Sequence, residues 1–283
     1  MRISFLIPSF NHSKYIRHTL DSIYTDAASL DFEIILIDDG SEDDSRSVID
    51  AWCELHPSVD IKVGYRENRG ASATANELVQ QASGDIIRCC ASDDCIFAGS
   101  SARIIRKFEE SDALVLVGDA LVINDAGSII SKSAIELNGG VLDKMQSLDG
   151  LKKEIVFNWS IPGPCFAMRK QVYDVVGLYA EDLLIEDWDF FLRVVALCPI
   201  QFIDVHFSYY RIHSRNTSRT LNITRKIRNL NAQLTAGKRR ACLFKGSLRW
   251  MLEIELFRLI LKIIIFRLVN FFMNFKREFV ELN

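Results

Sequence analysis

Several things are scarce or missing in this chain, and each absence excludes a class. Net charge is small: 34 lysines and arginines against 37 aspartates and glutamates leave −3 over 283 residues, which predicts no nucleic-acid partner. No Gly-x-Gly-x-x-Gly follows the first apolar run. Ser9-Phe10-Asn11-His12 stands there instead, so dinucleotide chemistry is excluded, and so is a nucleotidyltransferase that would need a glycine-rich phosphate loop. No Ser/His/Asp or Cys/His set for nucleophilic catalysis is visible. The seven cysteines are odd in number and lie mostly inside apolar runs. Cys89, Cys90 and Cys95 lack a second Cys/His pair at zinc-like spacing, so they read as reduced core thiols. Between Arg2 and Pro8 there are too few apolar residues for a secretory leader, which leads to the expectation of a cytoplasmic protein.

What is present is ordinary globular composition, 49% apolar and 25% charged, at a length suited to one large α/β domain plus an appendage. The small net charge hides a split. Residues 225–283 carry +9 and residues 1–224 carry −12, an acidic body with a basic, apolar tail.

Along the body, short apolar runs alternate with helical spacings. Strands are expected at Ile3–Pro8, Phe32–Ile37, Ile61–Tyr65 and Asp85–Cys90. Helices are expected over Ser13–Tyr24, Ser45–Leu55, Ala71–Ala82 and Gly99–Glu110. This alternation predicts an α/β fold with a mainly parallel sheet flanked by helices on both faces. Open parallel sheets bind ligands beyond the carboxyl ends of their strands. Those ends read Pro8-Ser9-Phe10-Asn11, Asp38-Asp39-Gly40-Ser41, Glu67-Asn68-Arg69-Gly70 and Ser92-Asp93-Asp94. Two acidic pairs and an arginine thus converge on one edge. Clustered carboxylates repel, so a divalent metal, or a ligand bringing one, is the economical explanation. Helix capping by Asp38 and Ser41 accounts for one acid of a pair, not for both pairs.

The ordered set Ile7-Pro8-Ser9-Phe10-Asn11, Ile37-Asp38-Asp39-Gly40-Ser41, Asn68-Arg69-Gly70-Ala71-Ser72 with Asn76, Ser92-Asp93-Asp94, Ile185-Glu186-Asp187-Trp188, Tyr210-Arg211-Ile212-His213 and Asn216-Thr217-Ser218 resembles a family 2 glycosyltransferase of GT-A fold. The resemblance implies an inverting transferase that moves a sugar from a nucleotide donor with the help of Mg²⁺ or Mn²⁺. It places Pro8, Ser9, Phe10 and Asn11 along the nucleoside, Asp39 on the base (most often uracil), and Arg69 near the nucleotide. Asp93 and Asp94 would form the metal and ribose/diphosphate site, the division between them left open. Asp187 would be the general base with Glu186 beside it, and His213 would belong to a loop over the donor. Many relatives read Asp-x-Asp-Asp at the metal loop, and Ala91-Ser92-Asp93-Asp94 lacks the first carboxylate. The residue types suit the chemistry: metal held by carboxylates offsets charge on a leaving diphosphate, and a nearby carboxylate takes the acceptor hydroxyl's proton. Glu186-Asp187 also suits the first turn of an apolar helix. Trp159 is open between stacking on an acceptor and filling core. The other histidines, His12 among them, receive no role.

The tail is a different kind of sequence. Leu256–Phe272 is nearly all apolar, but Arg258, Lys262 and Arg267 interrupt it. Three central basic residues cost roughly 8–10 kcal/mol on insertion scales, against a single span. At about 100° per residue the polar and apolar side chains divide the helix into halves. A basic amphipathic helix on an anionic membrane surface, through 244–280, is expected. Packing on the catalytic domain, or on a second copy in a homo-oligomer, is the alternative.

The expected organisation is a GT-A domain over 1–222, with a nucleotide-sugar-binding half (1–110) and an acceptor half (111–222), then the helical tail 223–283. The expected activity is transfer from a nucleotide sugar, UDP-linked by preference, to a lipid-linked or cell-surface glycan at the inner face of the cytoplasmic membrane. The competing reading is a catalytically silent sugar-nucleotide-binding scaffold. A processive polymerase would carry several spanning helices and a Gln-x-x-Arg-Trp motif, which is missing here.

Overall fold

The computed structural model describes residues 1–214, 216 and 222–281, with backbone alone for 274–281. The first half alternates as expected: β1 (Ile3–Ser9), α1 (Ile16–Ala27), β2 (Phe32–Asp38), α2 (Ser45–Leu55), β3 (Ile61–Tyr65), α3 (Ala71–Gln81), β4 (Ile86–Cys89), a two-residue β5 (Cys95–Ile96) and α4 (Ser100–Glu109). Then follow β6 (Val115–Asn124), β7 (Ile129–Ser131), the short helices α5 (Ala134–Leu137) and α6 (Leu142–Met145), α7 (Leu148–Phe157), β8 (Phe166–Arg169), α8 (Val172–Val176), α9 (Glu186–Leu197) and β9 (Ile200–Ile212). The chain closes on α10 (Ile223–Arg240) and α11 (Gly246–Glu281).

One sheet runs through the body in the order β3-β2-β1-β4-β8-β6-β9-β5, with β7 on β6. β1, β2, β3 and β4 are parallel, as is the long β6–β9 pair. β8 pairs antiparallel with both β4 and β6, and β5 antiparallel with β9. Most of the paired length is therefore parallel, and every antiparallel pairing involves one of the short strands β5, β7 and β8. Strand alternation sends Ile3, Phe5 and Ile7 to one core and Leu6 to the other, which gives helices a place on both faces.

β1 runs one residue past Pro8. Odd-numbered residues of β1 bond towards β2, as in Asp39 N–H to Ser9 O (2.8 Å), and even ones towards β4, as in Cys90 N–H to Leu6 O (3.0 Å). Pro8 faces the β4 side after β4 has ended, so its missing N–H breaks no ladder. The chain leaves β1 to build β2 and β3 on one side, then returns to place β4 on the other. The switch point of the sheet is thus the gap between the carboxyl ends of β1 and β4.

The two tail helices pack on the body. α10 lies against α9, and α11 against α10 and α7. Leu252, Leu259 and Ile263 of α11 are buried, and Glu255 is buried between them. These residues form a helical stripe that halving the helix into polar and apolar sides does not reveal. Gly237 lets α10 approach α9 closely: a Cβ there would lie 3.1 Å from the Trp188 ring. Arg239 bridges bidentately to Asp182, and Arg240 bidentately to Asp189. These two arginines, counted into a basic tail from sequence, are therefore spent on the body's own carboxylates. On the outer side Trp250, Phe257, Leu261, Ile264, Leu268 and Phe271 stay exposed, flanked by the exposed Lys262 and Arg267. No helix among the described residues is long and apolar enough to cross a membrane.

Candidate active site

The loops at the switch point are tied to one another. After β1, Asn11 takes a left-handed φ of 55°; its N–H donates to Ser41 Oγ (2.7 Å) and its Oδ1 accepts from Glu42 N–H (2.8 Å). Asp38 accepts from Ser41 N–H (2.9 Å), Ser41 Oγ (2.7 Å) and Ser9 Oγ (3.3 Å), which makes it the turn-holding member of its pair. Gly40 has φ +81°, and a Cβ there would stand 2.8 Å from the Asn68 backbone nitrogen, so the turn demands glycine. Ser9 is buried, Pro8 half-buried and Phe10 exposed at the rim.

Asp39 organises the loop after β3. Its carboxylate accepts from Arg66 Nε (2.9 Å), Arg69 N–H (3.0 Å) and Gly70 N–H (2.8 Å). A carboxylate has about four acceptor positions, so one remains for a ligand. The arginine on Asp39 is Arg66, which reading the motif did not single out. Arg66 also contacts Glu77 and donates to Thr74 Oγ1 (2.6 Å). Arg69 contributes its backbone N–H, while its side chain is 60% exposed, 3.7 Å from Glu77.

The acidic pair after β4 is divided. Asp94 turns inward: it is buried, and its Oδ1 accepts from Arg211 N–H (2.7 Å). Burial and the neighbouring Asp93 push its carboxyl well above the usual range, against the pull of Arg211. Arg211 Nε also donates to Asp93 O (2.8 Å), and Thr19 Oγ1 to Ser92 O (3.0 Å) and Asp94 O (2.6 Å). Asp93 faces the other way. Its Oδ2 lies 2.9 Å from His213 Nε2 and 3.8 Å from His12 Nε2. His12, Asp93 and His213 each offer a ligand atom within 4.8 Å of the others; Asp94 is not in that group. Tyr15 stacks on His213 at 5.0 Å, and its hydroxyl donates to Asp125. Asn216 turns the chain after β9, accepting from His213 N–H (2.6 Å); Thr217 and Ser218 lie outside the described residues.

Glu186 and Asp187 open α9. Asp187 Oδ1 accepts from Trp188 N–H (2.7 Å) and Oδ2 from Trp159 Nε1 (3.3 Å). Trp159 packs on Phe166 and Phe191, so it fills core and also orients the acid. Burial raises Asp187 above the ordinary carboxylate range, partly offset by those two hydrogen bonds. Burial, with Asp187 alongside, raises Glu186 to about 7. The loop leading into α9 is pinned to the nucleotide half: Asn76 Nδ2 donates to Tyr179 O and Glu181 Oε1 (3.0 Å each), and its Oδ1 accepts from Tyr179 N–H (2.9 Å). All seven cysteines are free, and Cys90 and Cys165 are buried; burial pushes the Cys89 thiol up to about 12, as expected of inert core thiols.

Comparison with known proteins adds the family. The chain is 26% identical over 225 residues to an uncharacterised glycosyltransferase of Nostoc sp., covering 76% of this chain and 66% of that protein. It is 30% identical over 193 residues to a poly-beta-1,6-N-acetyl-D-glucosamine synthase of Staphylococcus epidermidis, covering 65% of this chain and 43% of the synthase. It therefore spans less than two-thirds of the length of these curated relatives. Among solved structures, S. aureus TarS in complex with UDP superposes with a TM-score of 0.64 at 17% identity, covering 90% of this chain and 71% of that one. A mannosyltransferase of Pyrobaculum calidifontis in complex with GDP-Man and Mn²⁺ gives 0.64 at 14% identity, covering 90% and 69%. At such identities the likeness establishes the fold, GT-A. A model of Glycosyl transferase family 2 matches residues 4–177, and the chain belongs to that family.

Proposed function

We propose that the protein is a metal-dependent, inverting glycosyltransferase that moves a sugar from a UDP-linked donor to a lipid-linked or cell-surface glycan, such as O-antigen, capsule or exopolysaccharide. The observation that carries this reading is the pairing, on one GT-A frame, of a switch-point site around Asp93 with a carboxylate pair of raised affinity for protons at the start of α9. The remaining acceptor position of Asp39 suits a base that offers a ring N–H, as uracil does. Pro8, Ser9, Phe10 and Asn11 would line the nucleoside, and Arg69, exposed at the rim, has the reach to meet phosphate.

A carboxylate oxygen and imidazole nitrogens within 4.8 Å form a donor set that fits a divalent cation. Asp93 and His213 would hold it, and Asp94 would serve by fixing the loop through Arg211. Bound there, the ion would neutralise charge on the leaving diphosphate. The chain's own residues do the rest. Asp187, held by Trp188 N–H and the Trp159 indole, takes the acceptor hydroxyl's proton as that oxygen attacks the anomeric carbon from the face opposite the diphosphate. Its raised proton affinity makes it a better base than an exposed aspartate. Glu186 stands beside it to bind acceptor hydroxyls, and the attack inverts the configuration without a covalent enzyme intermediate.

The outward apolar ridge of α11 with its flanking Lys262 and Arg267 supports a seat on an anionic membrane, at the cytoplasmic face where a lipid-linked acceptor would be presented. The test is turnover of a UDP-sugar panel by the wild type and Asp187→Asn. The variant is expected to keep UDP affinity and lose 10²-fold or more of its transfer rate. Full transfer by the variant would remove Asp187 as base. A wild type that binds UDP-sugar and turns none over would favour the silent scaffold.

A further inference from the structure

His12 belongs to none of the roles above, yet its imidazole is held at the switch point from several directions. Its carbonyl accepts from Tyr15 N–H (2.9 Å) and Ile16 N–H (3.0 Å), and its N–H donates to Ser45 Oγ (3.1 Å). Its Nδ1 shares a hydrogen bond with Ser92 Oγ (2.8 Å), on the residue before Asp93. We propose that His12 is a third protein ligand of the divalent cation, beside Asp93 and His213, and that this two-imidazole, one-carboxylate set selects Mn²⁺ over Mg²⁺. The proposal rests on the transferase reading for the presence of the ion.

Three features carry it. First, metal-bound histidines characteristically engage their second ring nitrogen with a polar partner that fixes ring and tautomer. With the Nδ1 proton towards Ser92 Oγ, the Nε2 lone pair of His12 is directed to the Asp93 side. Second, the spacing is that of ligands around one ion. Bonds of about 2.1 Å put ligands at right angles about 3 Å apart and opposite ligands about 4.2 Å apart. The separations here are 2.9 Å and 3.8 Å from Asp93 Oδ2 to the two imidazoles, with all three atoms inside 4.8 Å. Third, the two rings are set nearly perpendicular, 5.6 Å apart at 85°, with Tyr15 stacked on one and edge-on to the other. Tyr15 thus packs against both imidazoles. Nitrogen donors favour Mn²⁺ and later first-row ions, whereas Mg²⁺ takes carboxylate and phosphate oxygens and keeps its waters.

The experiment is a Mn²⁺ titration of the full chain followed by electron paramagnetic resonance, with and without UDP, on the wild type, His12→Ala and His12→Gln. Glutamine keeps a polar side chain towards Ser92 should alanine loosen the loop. The wild type is expected to show nitrogen coupling from two imidazoles and the variants from one. Mn²⁺ affinity should fall at least tenfold in both variants, and Mg²⁺ should displace Mn²⁺ from the wild type only in more than tenfold excess. Coupling to a single imidazole in the wild type, or variant affinity within twofold of it, overturns the assignment. If UDP still binds the wild type in either case, the transferase reading survives that loss; a wild type that binds neither UDP nor Mn²⁺ sinks both.

Discussion

Replacing Arg240 by methionine should reach the acid pair of α9 from the far side of the helix. Asp189 is wholly buried two residues after Asp187. It is held by Arg240 through Nε–Oδ1 (2.8 Å) and a second nitrogen to Oδ2 (3.0 Å), and by Arg193 at 3.2 Å. Removing one partner of a buried ion pair costs about 3–5 kcal/mol because the other charge is left uncompensated. Here Arg193 remains, and the Arg240 side chain is a quarter exposed, so about 2–3 kcal/mol is expected. Urea unfolding of the wild type, Arg240→Met, Asp189→Asn and the double variant measures it. The double variant should recover at least about 1 kcal/mol relative to the sum of the singles, since the Arg240–Asp189 contact is lost once in it and counted twice in that sum, while Arg193 loses its carboxylate partner in Asp189→Asn and the double variant alike. Because Arg239 grips Asp182 and Arg240 grips Asp189, on either side of Glu186-Asp187, kcat should fall in Arg240→Met with donor KM little changed. An Arg240→Met protein within about 0.5 kcal/mol of wild type at pH 7 would refute the reasoning, since that is the scale of an ordinary surface change.

Other expectations follow from the same contacts. Glu186 holds its proton up to about 7 in the folded chain against 4.5 ordinarily, so the folded state binds more protons in that window and stability falls as pH rises through it. Glu186→Gln should therefore be about 3 kcal/mol more stable than wild type at pH 8 and indistinguishable at pH 4; an equal difference at both values contradicts the assignment. Tyr15→Phe loses the hydroxyl's bond to Asp125 and should cost about 1 kcal/mol in denaturant unfolding, whereas no loss would mean the contact contributes nothing. Leu261→Asp with Leu268→Asp alters two exposed positions of α11, so folding should survive while co-flotation with anionic vesicles is lost. Undiminished flotation would remove the ridge as the membrane contact.

Much of this was legible in sequence where the determinant is local. Eight of the nine elements from β1 to α4, all but the two-residue β5, follow from runs and spacings of a few residues, and the Asp38–Ser41 turn from glycine chemistry. What escaped is set by contacts between distant segments. His12 and Ser92 are eighty positions apart and meet only because the sheet reverses between β1 and β4, an inference the strand order permits once it is known. Arg66 and Arg69 sit on one loop, and only its path decides which guanidinium reaches Asp39 and which backbone N–H does. Asp93 and Asp94 are adjacent, so one facing the cleft sends the other into the core, yet sequence does not say which. Trp159 looked ambiguous because it does two things, packing on Phe191 and orienting Asp187. In the tail, helical spacing revealed an apolar half but not a second stripe through Leu252, Leu259 and Ile263, because a residue's angle on a helix does not specify the neighbour it meets.

The measurement that bears most directly on the account is calorimetric titration of the full chain with UDP in the presence of Mn²⁺, in chelator, and in Asp93→Asn. Binding that requires the ion and is lost in both other conditions is predicted, with GDP weaker than UDP. UDP binding that is indifferent to chelator and to Asp93→Asn would contradict a donor site built on Asp93 at the β1–β4 switch point.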